Sequence, residues 1–362
     1  KFVECTLGVQ YRDVGEDGTV YGGPMYYISK GLKDRGFQFF GKIAAVLFAI
    51  FCIGGSFGGG NAAQSNQATI VLKDLMGLES TAAGAIIGCI IAVIVGIIII
   101  GGIKRIANVT EKVVPFMALM YLLACLYIIL SNFSFIDDAV RLIISEAFNP
   151  TAVGVGSVIG VLLVGFKRAA FSNEAGAGSA SIAHSAVKTK YAASEGLVAL
   201  LEPFIDTVVI CTMTALVIII FNFGGYFEYG GDGGMVYIDG VGYEGAGITS
   251  KAFAQYIPFS NVFLTIAVVL FAVSTMISWS YYGLQSWKFI FGRGYYADLT
   301  YKILFFLFIV IGAASSMSSI WAFSDAMIFA MIFPNMVGLF FLFPVVKKEL
   351  AKYLDAIKKN NL

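Results

Sequence analysis

The chain has 362 residues, 58% of them hydrophobic and only 13% charged, with a formal net charge of +1. Water-soluble domains carry about 25% charged residues, so this is an all-α integral membrane protein with several spans, for which the lipid bilayer is the solvent. The near-zero charge suggests no nucleic-acid partner.

The chain opens on Lys1-Phe-Val-Glu, with no initiator Met and no signal peptide. Residues 1–12 read as the end of a helix already under way, so the chain is expected to be a piece of a longer protein. A membrane crossing needs about 20 apolar residues. Eight such stretches follow, near 41–71, 83–101, 109–131, 151–185, 194–221, 259–287, 297–314 and 319–345. Pro24, in Gly22-Gly-Pro-Met-Tyr-Tyr27, marks a turn in the first loop, while Pro203 and Pro334 are expected to kink their spans. Residues 136–147 place Ile136, Val140, Ile143 and Ile144 at helical spacing between acids, the pattern of a helix lying on the membrane surface. The segment 222–258 is rich in Gly, Tyr and acids and fits either a solvated loop or a cover over an entrance. The five cysteines, Cys5, Cys52, Cys89, Cys125 and Cys211, lie in apolar stretches without CxxC spacing and read as core thiols.

Charge placement orients these spans. Of the 24 Lys and Arg, 18 fall in 12–42, 101–112, 186–195, 288–302 and 345–362. The intervening segments 72–82, 132–150 and 222–258 hold only Lys73, Arg141 and Lys251. The positive-inside rule puts the first set in the cytoplasm, the C-terminus included, and every span then alternates in direction. Residues 1–345 form the membrane unit and 346–362 a basic cytoplasmic tail whose lysines snorkel from a helix end.

The polar groups inside the spans carry the functional signal. Residues 165–179 contain Lys167, Arg168, Ser172, Asn173, Glu174 and three glycines within an otherwise apolar span. Lipid does not tolerate such groups, so the segment faces protein or a water-filled path, and its small residues allow the helix to break and offer backbone to a ligand. Arg168 needs a partner, the candidates being Glu174, Glu202, Asp206 and Asp325. Arg168, Glu174, Glu202 and Asp206 are read as a structural ion network, since a buried charge without a partner is costly. The only histidine, His184, sits near the end of its span and reads as structural. In the 41–71 span, Gly54 to Gln67 combine five glycines with four amides. Gln64 serves either as glue between helices or as a hydrogen-bond partner for a small substrate. In the 259–287 span, Ser274 and Thr275 lie one turn after Phe271. Hydroxyls there usually bond the preceding turn, but with the Phe271 carbonyl they also make an oxygen-only donor set suited to a hard cation. Trp279, one turn beyond Thr275, supplies an apolar wall. Phe48-Ala-Ile-Phe-Cys-Ile-Gly-Gly-Ser56 and Phe271-Ala-Val-Ser-Thr-Met-Ile-Ser278 are weakly similar and run in opposite membrane directions, as an inverted repeat would.

These segments together resemble the alanine or glycine:cation symporters. The likeness rests on Gly22-Gly-Pro-Met-Tyr-Tyr-Ile28, Phe171-Ser-Asn-Glu-Ala-Gly176 with Gly178-Ser179 and Ile182-Ala-His184, Gly196-Leu-Val198, Glu202, Phe204-Ile-Asp-Thr207, Cys211-Thr212, Thr214-Ala-Leu-Val217 and Trp279-Ser-Tyr-Tyr-Gly283. Departures from the family pattern are Ala169-Ala170 before Phe171, and Ser181 where proline is usual. The resemblance implies an inverted five-helix-repeat symporter core, of which this chain holds the end of core helix 2 through core helix 10. On that map core helix 1 lies outside the chain, and Gln64 and Asn66 stand at the family's Gln-x-Asn. Phe171 and Asn173 lie at the break of core helix 6, and Phe271, Ser274 and Thr275 in the core helix 8 part of a sodium site.

The implied substrate set is Gln64, Phe171, Asn173, Thr275 and Trp279. The implied sodium set is the Phe271 carbonyl, Ser274 and Thr275, with Na+ as coupling ion. The implied activity is sodium-coupled uptake of a small neutral amino acid, alanine or glycine, by alternating access at the cell membrane. A proton-coupled transporter using Glu174, Glu202 or Asp206 as carrier is the nearest alternative, and a channel is less well matched by scattered amides and aromatic plugs. No HExxH, GxSxG or phosphate loop appears, which argues against an enzyme.

Overall fold

A backbone inside a bilayer must satisfy its own N–H and C=O groups, and the chain does so with helices throughout. The computed structural model describes residues 1–16, 18–148, 158–229 and 235–359. The first part of the chain contains α1 (Phe2–Gln10), the hairpin β1 (Asp13–Val14) and β2 (Val20–Tyr21), and α2 (Pro24–Asp34). Next come α3 (Gln38–Phe57), a π-helical turn (Gly58–Ala62), α4 (Ala63–Met76), α5 (Thr81–Ile99) and α6 (Gly102–Ser131). The middle holds α7 (Ile136–Ala147), α8 (Val158–Asn173), α9 (Ala180–His184), α10 (Ala192–Val198), α11 (Leu201–Pro203), a second π segment (Phe204–Cys211) and α12 (Thr212–Asn222). The hairpin β3 (Val236–Ile238) and β4 (Val241–Tyr243) then leads into α13 (Ala246–Tyr256), α14 (Ser260–Phe291), α15 (Tyr295–Ala314) and α16 (Met317–Lys358).

Among the described residues, seven helices are long and apolar enough to cross a membrane: Gln38–Met76, Thr81–Ile99, Gly102–Ser131, Ala192–Asn222, Ser260–Phe291, Tyr295–Ala314 and Met317–Lys358. They match seven of the eight expected spans. The eighth, 151–185, consists of α8, a non-helical break and α9, and its residues 151–157 lie outside the described residues.

Helix α5 shows how sequence sets orientation. Ser80 caps it, its hydroxyl accepting the Ala83 N–H at 3.1 Å. Ile86, Ile90, Val93 and Ile97 recur at helical spacing and are exposed, so they form a lipid-facing stripe. The opposite face carries Gly84 and Gly88, where a β-carbon would come within 2.7 Å of Ala313 atoms. These small residues let α5 and α15 pack backbone to backbone. The main core is built around α3, packed on α2, α14 and α16, with Tyr27, Phe48, Tyr301 and Phe305 fully buried.

Several expectations change. The segment 12–42 is not a plain loop: Gly23 (φ 114°) makes the turn, but Pro24 is the first residue of α2, whose Tyr27, Ile28 and Leu32 are fully buried. Proline fits that position because the first helical N–H has no intrahelical partner. The segment 222–258 is a packed cover: Val236, Ile238, Ala252 and Phe253 join a second apolar cluster with Tyr121, Val217 and Leu264. Helix α7 appears where a surface helix was expected, with Val140, Ile143 and Ile144 exposed. Pro203 is followed at once by the second π segment, whereas α16 runs on through Pro334 and Pro344 and across residue 345 into the basic tail. Cys5, Cys52 and Cys125 are core thiols, but Cys89 and Cys211 lie on exposed helix faces.

Candidate substrate and ion site

The break between α8 and α9 is built by side chains that replace lost helical bonds. Asn173 closes α8 by accepting the Ala175 N–H on Oδ1 at 2.9 Å, and its Nδ2 donates to Thr207 Oγ1 at 2.9 Å. Glu174, Gly176 and Gly178 then take left-handed backbone with φ of 55°, 83° and 93°. Glycine does this freely, but Glu174 does so at a cost of about 1–2 kcal/mol. Ser179 donates to Glu174 Oε2 at 2.6 Å.

A buried polar brace holds the break from behind. Glu4, fully buried in α1, accepts on Oε2 from the Gly176 N–H and from Asn335 Nδ2, both at 3.2 Å. Asn335 Nδ2 also donates to the Gly176 carbonyl at 2.9 Å, and the Tyr27 hydroxyl donates to Asn335 Oδ1. Sequence reading did not select Glu4, Asn335 or Tyr27. The available signal was a carboxylate and an amide set in apolar runs, which at membrane depth is itself a sign of function.

Three of the five expected substrate residues meet at the π turn. A β-carbon at Gly59 would lie 2.7 Å from Phe171 Cζ, and one at Gly60 would lie 2.2 Å from Trp279 Cγ. Phe171 and Trp279 therefore pack on consecutive glycines, and Gln64 Nε2 donates to the Gly59 carbonyl at 3.0 Å. A π turn widens the helix and recurs at functional sites. Trp321 packs against Phe171 with ring centroids 5.0 Å apart and ring planes tilted by 56°. Asn173 sits beside this cluster, but its amide is used within the break. Asn66 faces elsewhere, donating to the Gly312 and Ser315 carbonyls.

On α14, Ser274 Oγ and Thr275 Oγ1 each donate to the Phe271 carbonyl at 2.9 Å. Three oxygens thus converge, and an oxygen-only set fits a hard cation such as sodium. Both protons are spent on that carbonyl, the usual arrangement for hydroxyls in membrane helices.

The four expected network charges separate into distinct contacts. Arg168 Nη2 pairs with Asp325 Oδ1 at 2.7 Å, and its guanidinium lies 5.0 Å from the Trp321 ring centroid. Glu202 meets Lys1 Nζ at 3.2 Å and His184 Nε2 at 3.4 Å, and His184 Nδ1 also meets Glu195 at 2.6 Å. Asp206 accepts from Ser172 Oγ at 2.5 Å and from Thr207 Oγ1 at 3.1 Å.

Access differs at the two ends of the bundle. At the end bearing the β1–β2 hairpin, a cavity of about 910 Å³ is lined by Arg12, Lys104, Lys188, Ser278 and Tyr282, and reaches the residue preceding Trp279. At the opposite end the cover is pinned to the bundle. The Ala246 N–H donates to Gln67 Oε1 at 3.0 Å, and Gln67 Nε2 meets Met317 sulfur at 3.2 Å.

A multi-pass helical membrane protein with a broken helix, a glycine–aromatic wall and a buried polar brace has the build of a transporter, and the family it matches is one of transporters, not enzymes. The family model described as the sodium:alanine symporter family matches residues 1–362. The chain is 38% identical over 362 residues to the sodium/alanine symporter AgcS of Methanococcus maripaludis, covering 99% of this chain and 75% of that protein. It is 32% identical over 344 residues to the putative sodium/proton-dependent alanine carrier protein YrbD of Bacillus subtilis, covering 93% and 68%. The probable sodium/glutamine symporter GlnT of Bacillus subtilis is 30% identical over 354 residues, with 97% and 68% covered. The chain belongs to the sodium:alanine symporter family.

Proposed function

We propose that the chain forms most of the transport core of a sodium-coupled symporter for small neutral amino acids, alanine and glycine, in the cell membrane. The observation that carries this reading is the packing of Phe171 and Trp279 on Gly59 and Gly60. These rings would wall a site that excludes bulky side chains by overlap, with Gln64 Oε1 and the backbone of residues 174–179 as its polar partners. The names of the alanine carriers among its relatives support alanine first. Phe271, Ser274 and Thr275 are the proposed part of a sodium site, with the sodium ion as cargo. One sodium charge moving through 100 mV supplies about 2.3 kcal/mol before any concentration term.

The broken span, the opposite directions of the 41–71 and 259–287 spans and the inequality of access support an inverted-repeat core working by alternating access. The charge bias places the β1–β2 end and the basic tail 346–362 in the cytoplasm. Proton coupling is the second reading, favoured by the Glu195–His184–Glu202–Lys1 chain of contacts beside the break and by the sodium/proton wording of one relative's name.

Uptake of radiolabelled alanine into proteoliposomes separates the two. Sodium outside is expected to drive accumulation that potassium or choline does not. Equal uptake in all three salts removes sodium coupling, and accumulation driven by an inward proton gradient without sodium selects the second reading.

A further inference from the structure

A separate cavity of about 430 Å³ lies at the covered end, between α4, the start of α5, the α15–α16 corner and the β3–β4 hairpin. Its volume falls in the range of small-molecule sites. Two of its lining residues are almost wholly buried, Asn66 at 5% and Thr69 at 2% exposure. Asn66 Nδ2 is committed to two carbonyls, at 3.0 and 2.9 Å. Asn66 Oδ1 and Thr69 Oγ1 have no hydrogen-bond partner among the described residues. Native interiors rarely leave two such oxygens unpaired at one place, because each loses its bond to water without replacement.

The charges around the cavity narrow what could satisfy them. Lys73 on α4 and Glu244, just after β4, line it from different elements. Lys73 Nζ donates to the Glu79 carbonyl at 3.0 Å, which leaves two of its protons available. Glu244 has no cationic partner among the described residues. Lys73 disfavours a bare cation here and Glu244 a bare anion. A small molecule carrying both an ammonium and a carboxylate satisfies both charges, and a small shift of the Asn66 or Thr69 side chain would bring one of the unpaired oxygens to it.

We propose that this cavity is a second binding site for a small zwitterionic amino acid, apart from the site at Phe171 and Trp279. The proposal rests on the reading of the chain as an amino-acid symporter. Because Glu244 belongs to the cover and Lys73 to α4, an occupant would tie the cover to the bundle.

Equilibrium binding of radiolabelled L-alanine to the full chain in lipid nanodiscs tests it. Two phases are expected. Lys73→Gln and Glu244→Gln should each weaken one phase by about tenfold or more, the effect of losing one charge-assisted contact, while the other phase persists and reports an intact fold. Trp279→Ala should remove that other phase instead. Methylamine and propionate, each with one of the two charges, should not displace the Lys73-dependent phase at concentrations where alanine does. A wild-type isotherm with one phase or none, or two phases that both variants leave unaltered, overturns the second site. Displacement by either one-charge probe overturns the zwitterion assignment. Uptake that ignores sodium, by contrast, removes the coupling proposed above and leaves the second phase standing.

Discussion

At Gly60 the missing side chain matters as much as any side chain present. The β-carbon of an alanine would sit 2.2 Å from Trp279 Cγ, with Trp279 Cβ at 2.3 Å, so the indole or the π turn would have to shift. Overpacking of this kind costs about 1–3 kcal/mol. Gly60→Ala is therefore expected to lower sodium-driven alanine uptake at least about tenfold with the protein still inserted, an estimate that follows from about 1.4 kcal/mol per factor of ten. Gly165→Ala on α8 is the control: nothing lies within 4 Å of its β-carbon, and uptake should be unaltered. Gln64, Phe171 and Trp279 were legible in the sequence because amides, glycines and aromatics interrupt apolar spans there. Glu4 and Asn335 were not, since 331 residues separate them and neither carries a local motif. Arg168 was recognisable as a charge in need of a partner, but choosing Asp325 over Glu174, Glu202 and Asp206 required the packing of α8 on α16.

Among the elements, α15 is the spacer that decides how closely the bundle closes. Gly312 faces the π turn, where a β-carbon would come within 2.5 Å of Ala62 backbone atoms. Backbone cannot rotate away as a side chain can. Gly312→Ala is expected to reduce thermal stability in detergent by several degrees and to lower the yield of monodisperse protein, measured by tryptophan fluorescence and size-exclusion chromatography. A melting curve that overlays the wild type would refute the tight contact. Span positions were readable because apolar length is a strong signal. The connecting segments were not. Lys30, Lys33 and Arg35 made 12–42 look like a charged loop, although Met25, Tyr26, Tyr27, Ile28 and Leu32 already carried a buried helix face. In 222–258 the glycines and acids masked the few apolar residues that anchor the cover to α12 and α14.

For the molecule as a whole, the cavity of about 910 Å³ lies at the end opposite the Ala246–Gln67 contact, and the proposed orientation would make this an inward-facing form. Ser278 lines that cavity. A Ser278→Cys variant, in a background with the exposed Cys89 and Cys211 replaced by serine, should react with a membrane-impermeant maleimide faster in inside-out than in right-side-out vesicles. The reverse order would contradict both the orientation and the inward-facing assignment.

Gln67 has a consequence for how often the other form is visited. Ala246, the first residue of α13 within the cover, docks on this side chain, which at the same time holds Met317 at the start of α16. Two hydrogen bonds of this kind contribute about 1–3 kcal/mol together, in addition to the apolar packing of Val236, Ile238 and Phe253 against the bundle. These hydrogen bonds alone would hold the open form to a population on the order of a few per cent at rest, the apolar contacts lower it further, and a ligand that favours the open form raises it. On that arithmetic Gln67 acts as a latch, and a cargo that binds the open form better sets how often the latch is undone.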